Sequence, residues 1–287
     1  MEKLQSQSKN LMIKRILCYI VLILLAFISL FPFYTMIINA TRSHEQIQRG
    51  FSALPGISFF KNFINLTSGK GKDYPIITGM INSVIIGALT AICTTYFSSM
   101  TSYGIYMYNF KLKKFSFRFI MAIMMVPTQV STLGFLRLLE KMHLMNSFVG
   151  LIVPSIAAPI VFFYMYQSME ATLPYSIVEA ARVDGCPEFR TFNQIVVPMM
   201  KPAFAVQIIF AFVSSWNNYF VPALVLQSKD KATVPILIAT LRGADYMNFD
   251  MGKVYMMITV AIVPIIVAYL FLSKFIIAGV ALGGVKE

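Results

Sequence analysis

The sequence predicts an all-α membrane protein with six transmembrane helices, and three observations carry that prediction. Of 287 residues, 57% are hydrophobic and 13% charged, where a soluble domain has about 25% charged. Mean hydropathy is +0.71. The charges that do occur gather at the ends of six long charge-free stretches, each able to cross a bilayer.

In chain order, residues 1–15 form a basic N-terminal segment with Lys3, Lys9, Lys14 and Arg15. The uncharged run Ile16 to Ile38 follows, and at roughly 1.5 Å per residue it covers a hydrocarbon core of about 30 Å. It is too long for a secretory h-region, and no A-x-A site follows it. Five more charge-free stretches lie between Asp73 and Lys111, Arg118 and Arg137, His143 and Glu170, Lys201 and Lys229, and Lys253 and Lys274. The six-span body thus occupies residues 16–277, with a polar loop over 170–201 and a C-terminal tail over 278–287. Pro32, Pro127, Pro154, Pro159, Pro222 and Pro264 fall inside or at the ends of the spans and predict kinks.

An even number of crossings puts both termini on one side, and basic residues near the membrane choose which. Lys14 and Arg15 before the first span, and Lys111, Lys113, Lys114 and Arg118 in the short second connection, place the termini in the cytoplasm. The bias is small, 13 basic residues on that side against 11 on the other. With this sidedness the connections over 39–75, 137–143 and 229–253 are external, and the loop over 170–201 is cytoplasmic.

Composition also excludes function classes. The net charge of +12 would suggest nucleic acid in a soluble domain, but here the basic residues flank apolar segments and meet lipid headgroups instead. Cys18, Cys93 and Cys186 have no metal-ligand or C-x-x-C spacing, and His44 and His143 are the only histidines, so no metal site is expected. None of the six span cores contains Asp, Glu, His, Lys or Arg, which leaves an intramembrane enzyme without a nucleophile–base pair or metal and an ion-coupled carrier or channel without carboxylates. No catalytic residue is assigned.

The most informative stretch is Leu173 to Pro198. Pro174 suits a first helical turn, Gly185 a left-handed position after a helix end, and Pro187 opens a second helix that Pro198 closes. Ile177 and Ala181 share one face of the first helix, with Glu179 and Arg182 three apart on another. Phe189, Phe192 and Val196 make a stripe on the second. Such a pair is either a surface packing element or a peg for a soluble partner's groove.

The spacing Glu179-Ala180-Ala181, Gly185, Ile195, Pro198 resembles the E-A-A-x3-G-x9-I-x-L-P loop of the membrane subunits of ATP-binding-cassette importers, with Val197 in place of Leu. Asn82-Ser83, the run Ser215 to Leu224, and the tail Gly279 to Lys286 are similar to stretches of carbohydrate-importer permeases, the smaller subunit of the maltose-type pair. The resemblance implies the type I ABC importer permease fold: six transmembrane helices with a cytoplasmic coupling-helix loop, in the cell membrane of a prokaryote. It further implies a heterodimer with a second permease subunit, two ATPase subunits, an extracytoplasmic solute-binding protein, and a sugar carried by alternating access. A non-sugar solute is the alternative within the same superfamily.

No G-x-x-x-x-G-K-[ST] loop is present, so no cofactor is expected in this chain; ATP and Mg would be held by the partner ATPase subunits. By resemblance Glu179, Ala180, Ala181, Asp184, Gly185, Ile195 and Pro198 would couple to the ATPase, and Gly283, Gly284, Val285 and Lys286 would contact it. A pyranose has polar edges and apolar faces, so hydrogen-bonding groups beside an aromatic ring mark candidates for the translocation path: Trp216, Asn217, Asn218, Tyr219, Gln129 and Asn82. Helix–helix hydrogen bonding competes as a role for these residues.

Overall fold

Apolar runs become helices because a backbone in hydrocarbon must satisfy its N–H and C=O groups within its own segment. In the computed structural model, which describes residues 2–67, 75–243 and 249–283, every long run is helical and no strand occurs among the described residues. The helices are α1 (Glu2–Ala40), α2 (His44–Gln48), α3 (Phe59–Thr67), α4 (Ile76–Met107), α5 (Lys113–Met124), α6 (Thr128–Lys141), α7 (Val149–Ser155) and α8 (Pro159–Thr172). They continue as α9 (Tyr175–Val183), α10 (Glu188–Thr191), α11 (Val197–Met199), α12 (Lys201–Asn217), α13 (Phe220–Val225), α14 (Val234–Arg242) and α15 (Met251–Gly283).

Among the described residues, four stretches are long and apolar enough to cross a membrane: Leu11–Ala40, Ile76–Met107, Val149–Thr172 and Met251–Ser273. Two bent pairs, Lys113–Met124 with Gln129–Lys141 at 103° and Glu188–Met199 with Lys201–Asn217 at 83°, bring the count to six when each pair is one span. Two of the prolines expected to kink the spans stand at breaks, whereas Pro32 and Pro264 lie inside the continuous helices α1 and α15. Pro127 immediately precedes α6, and Pro159 opens α8 after a break at 156–158. The N-terminal segment is helical, since α1 runs unbroken from Glu2 into the first span.

One compact unit consists of residues 1–71 and 241–260. Side chains from Leu11 to Tyr34 are exposed around the whole circumference of α1, as an apolar helix surrounded by lipid or by another subunit requires. The connection after α1 folds on itself. Arg42 donates to Asn39 Oδ1 and the Gly50 carbonyl at 3.0 Å each and to the Gln46 carbonyl, while Ser43 and Gln46 cap α2 reciprocally. The buried Asn62 amide donates to the Ala40 and Arg42 carbonyls at 2.9 Å each, and a Cβ at Gly252 would stand 2.9 Å from that same amide. His44 Nδ1 accepts the Met251 N–H at 3.1 Å.

The other unit, residues 72–240 and 261–287, is organised on α4, which packs along α12 and α8. Its buried face is small and polar, with Ser83, Gly87, Thr94, Ser98, Ser99 and Ser102, and small residues let helix backbones approach closely in a membrane. The Thr94 hydroxyl donates to the Ser155 carbonyl at 2.8 Å and that of Ser102 to the Phe162 carbonyl at 2.9 Å. Near the start of α4, Asn82 donates to the Asp230 and Ala232 carbonyls at 2.8 and 3.1 Å, and the Ser83 hydroxyl accepts the Val234 N–H at 2.8 Å.

Removing the Asn62 amide leaves two buried carbonyls without their donor, at about 1–3 kcal/mol for each unsatisfied group. Asn62→Leu is expected to lower the Tm of the detergent-solubilised protein, whereas Phe60→Leu on the exposed side of α3 leaves it unchanged.

Candidate functional site

The loop between α8 and α12 is built from two short helical pieces on an apolar base. Pro174 stands at the N-cap of α9 with φ −68° and ψ 136°, one residue ahead of the first turn. The helix ends in a Schellman turn: Gly185 N–H bonds the Arg182 carbonyl at 3.0 Å and Cys186 N–H that of Ala181 at 2.9 Å. Gly185 has φ +75°, and a Cβ there would meet nothing within 4 Å. Its requirement is therefore backbone conformation and not space.

Pro187 opens the second piece as expected, but Pro198 does not close it. After α10 the backbone widens into a π-turn over Phe192–Val196, with Val197 N–H bonded to the Phe192 carbonyl, and the helix runs through Pro198 to Met199. The widening accommodates proline, which has no N–H to donate and would otherwise press its ring on the Gln194 carbonyl. The expected stripe is divided as well. Phe192 and Val196 are buried with Val178, Leu173, Met165, Met169, Met200, Tyr103 and Tyr106 in one core, whereas Phe189 is 67% exposed.

A polar clasp holds the two pieces to the end of α4. Arg182 Nε donates to Glu188 Oε1 at 2.5 Å, the Tyr103 hydroxyl donates to Glu188 Oε2 at 2.7 Å, and the Arg182 guanidinium lies 5.3 Å from the Tyr108 ring centroid. Arg182 thus pairs with Glu188 and not with Glu179, which makes no hydrogen bond or ion pair among the described residues. The hydrogen bond to Glu188 raises the Arg182 pKa. Burial alone would raise that of Glu188, but the hydrogen bonds from Arg182 and Tyr103 outweigh it and hold the carboxyl below its ordinary value. The Tyr106 hydroxyl adds a cap on the Leu173 carbonyl at 3.1 Å.

With its base fixed in this way, α9 presents Glu179, Ala180, Val183 and Asp184 on one exposed face. Ala181 is buried beneath them, Gly185 and Pro198 are exposed, and Ile195 is half-buried. Val183 and Phe189 are both largely exposed; Val183 was not singled out by sequence, and Phe189 was named only as part of the stripe. Their signal is an apolar residue on each side of the Gly185 turn. The clasp was not singled out either, since Tyr103 lies 85 positions from Glu188. Gly283 ends α15; Gly284, Val285 and Lys286 lie outside the described residues.

The path candidates are not brought together. Trp216 is buried, its ring stacked on Phe212 with centroids 5.6 Å apart. Asn217, Asn218 and Tyr219 are exposed at the break between α12 and α13, where Asn218 Oδ1 accepts the Val221 N–H at 3.3 Å. Gln129 is exposed near the start of α6. Asn82 is buried, with its amide committed to backbone carbonyls.

Residues 95–280 match the family described as binding-protein-dependent transport system inner membrane component. The chain belongs to this family. It is 34% identical over 285 residues to the arabinooligosaccharides transport system permease protein AraQ of Bacillus subtilis (strain 168), covering 97% of this chain and 98% of that protein. It is 31% identical to the lactose transport system permease protein LacG of Rhizobium radiobacter, covering 93% and 95%. In fold it matches a chain of a bacterial ABC transporter involved in the import of the acidic polysaccharide alginate, with a TM-score of 0.78 at 19% identity over 91% of this chain and 96% of that one. The permease is accordingly a multi-pass membrane component of a transport system and not a catalytic subunit. The clasped loop lies within the matched region.

Because the Glu188 carboxyl is depressed, the clasp contributes order above the ordinary glutamate range of about 4.3 and loses it as pH falls through the lowered value. Hydrogen-exchange protection factors over residues 175–200 of the permease, which divide out the slowing of intrinsic amide exchange by acid, are expected to fall on acidification through that window. Glu188→Gln should show low protection at neutral pH and little further change with acid.

Proposed function

We propose that this permease forms half of the translocation path of an ATP-driven importer for a sugar or oligosaccharide, paired with a second permease subunit and served by a solute-binding protein. The relatives named for arabinooligosaccharides and lactose support the substrate class. ATP and Mg are held by two partner ATPase subunits, which dock on the loop from the cytoplasm, where both termini also lie.

The observation that carries the coupling role is the exposed α9 face. It offers a carboxylate without an internal partner among the described residues, a small surface at Ala180, and apolar contacts at Val183 and Phe189, all on a base held by the Glu188 clasp. A rigid projection of this kind transmits displacement, because the loop and α4 share one core. Alternating access follows if ATPase closure makes different contacts with α9 in its two states. Gly283 to Lys286 would extend this contact from the tail.

For the path, Asn217, Asn218 and Tyr219 supply amide groups and an aromatic ring at a helix break, and unwound backbone in a membrane protein is tolerated where it lines a cavity or meets protein. Gln129 is the second candidate. Trp216 and Asn82, both buried and engaged, support the path from behind as packing and backbone-binding residues.

Two experiments separate these roles. Glu179→Lys and Gly185→Val are expected to weaken co-purification of the ATPase or uncouple hydrolysis from uptake of labelled sugar; normal association and uptake in both variants would reduce the loop to a packing element. Trp216→Ala should cost about 3–5 kcal/mol of stability as a buried aromatic truncation and reduce assembly and transport together. Tyr219→Ala should leave the Tm of the assembled transporter unchanged while lowering uptake, and unchanged uptake would remove Tyr219 from the path.

A further inference from the structure

The last turns of α4 and the residues after them border an apolar groove of about 420 Å³, lined by Thr101, Gly104, Ile105, Tyr108, Asn109 and Phe110. Gly104 leaves the helix surface open here, since a Cβ added to it would meet nothing within 4 Å. From Phe110 the chain passes directly into Lys111, Lys113, Lys114 and Arg118. The Lys113 ammonium donates to the Tyr106 carbonyl at 3.0 Å, while Lys111, Lys114 and Arg118 are exposed. No Asp or Glu occurs in the sequence between Asp73 and Glu140. The carboxylate beside Tyr108, that of Glu188, is already committed to Arg182 and Tyr103.

The pattern continues along α5. Phe115 and Phe119 are exposed one turn apart with rings stacked at 6.0 Å and 17°, and Lys114 and Arg118 form the adjacent row. An aromatic row beside a basic row, on a helix at the end of a span, suits the zone where acyl chains give way to headgroups. A soluble anion would account for the cations but not for the groove, and an apolar protein helix for the groove but not for the three exposed cations beside it.

We propose that the groove holds an acyl chain of one anionic phospholipid whose headgroup phosphate is bound by Lys111 and Lys114. Both halves of the site come from a single chain and follow each other in sequence, so it does not depend on the docking role of α9. The test uses the complete transporter, reconstituted in phosphatidylcholine bilayers containing phosphatidylglycerol and re-extracted in mild detergent, with retained phosphatidylglycerol counted by native mass spectrometry. The double variant Lys111→Gln/Lys114→Gln should lower retention about fivefold for each charge removed. Gly104→Leu, which fills the groove and keeps the charges, should also lose one retained lipid per complex while assembling normally. Unchanged lipid counts in both variants would overturn the site. A count that falls for the lysine variant but not for a normally assembled Gly104→Leu transporter would also overturn it, leaving only general attraction to the surface. Loss of the second permease from Gly104→Leu with lipid retained would assign the groove to a protein helix and overturn it equally.

Discussion

Inside a bilayer, a backbone carbonyl released by a helix break must be taken up by the protein, because no solvent is there to receive it. The placement of polar side chains in this permease follows from that constraint. Pro159 has no N–H for the Ser155 carbonyl, and the Thr94 hydroxyl on the neighbouring α4 takes it instead. Pro198 has none for the Gln194 carbonyl, and there the helix widens into a π-turn. Where α12 stops, the Asn218 side chain accepts the Val221 N–H of the next short helix. Thr94, which reads as a polar anomaly in an apolar span, is thus the counterpart of a proline elsewhere in the chain.

The same constraint makes α4 the axis of its unit. One end carries Asn82 and Ser83, bonded to the backbone at 230–234; the other carries Tyr103 and Tyr106, bonded to the loop at Glu188 and Leu173. The two sets are separated by about 20 helical positions, roughly 30 Å. The loop is therefore attached to the opposite face of the bundle through one continuous helix with anchors at both ends. Under the proposed coupling role, a displacement imposed on α9 would reach the far connection through α4.

Much of this was legible in sequence for local reasons. Charge-free runs located the spans, Pro127 and Pro159 located two of the breaks, and Gly185 announced a left-handed turn because little else adopts that conformation at low cost. The loop's two-helix plan was readable, but its internal wiring was not. Helical spacing suggests Glu179 with Arg182, three apart, yet Arg182 turns to Glu188 across the Gly185 turn, where Tyr103 from a distant span completes the pair. Pro198 read as a stop because the π-turn that tolerates it leaves no compositional trace. Asn82 and Trp216 read as candidate ligand groups because a sequence shows polarity and aromaticity but not which neighbour has already claimed them.

The N-terminal unit has a consequence for how the protein is made. Its connection is closed by contacts from opposite ends of the chain, His44 with Met251 across 207 positions and Asn62 against Gly252. At ordinary elongation rates of about 5–20 residues per second, those partners emerge some 10–40 s apart. During that interval the connection after α1 lacks its final neighbours. Completion of this unit therefore awaits synthesis of Met251 and Gly252.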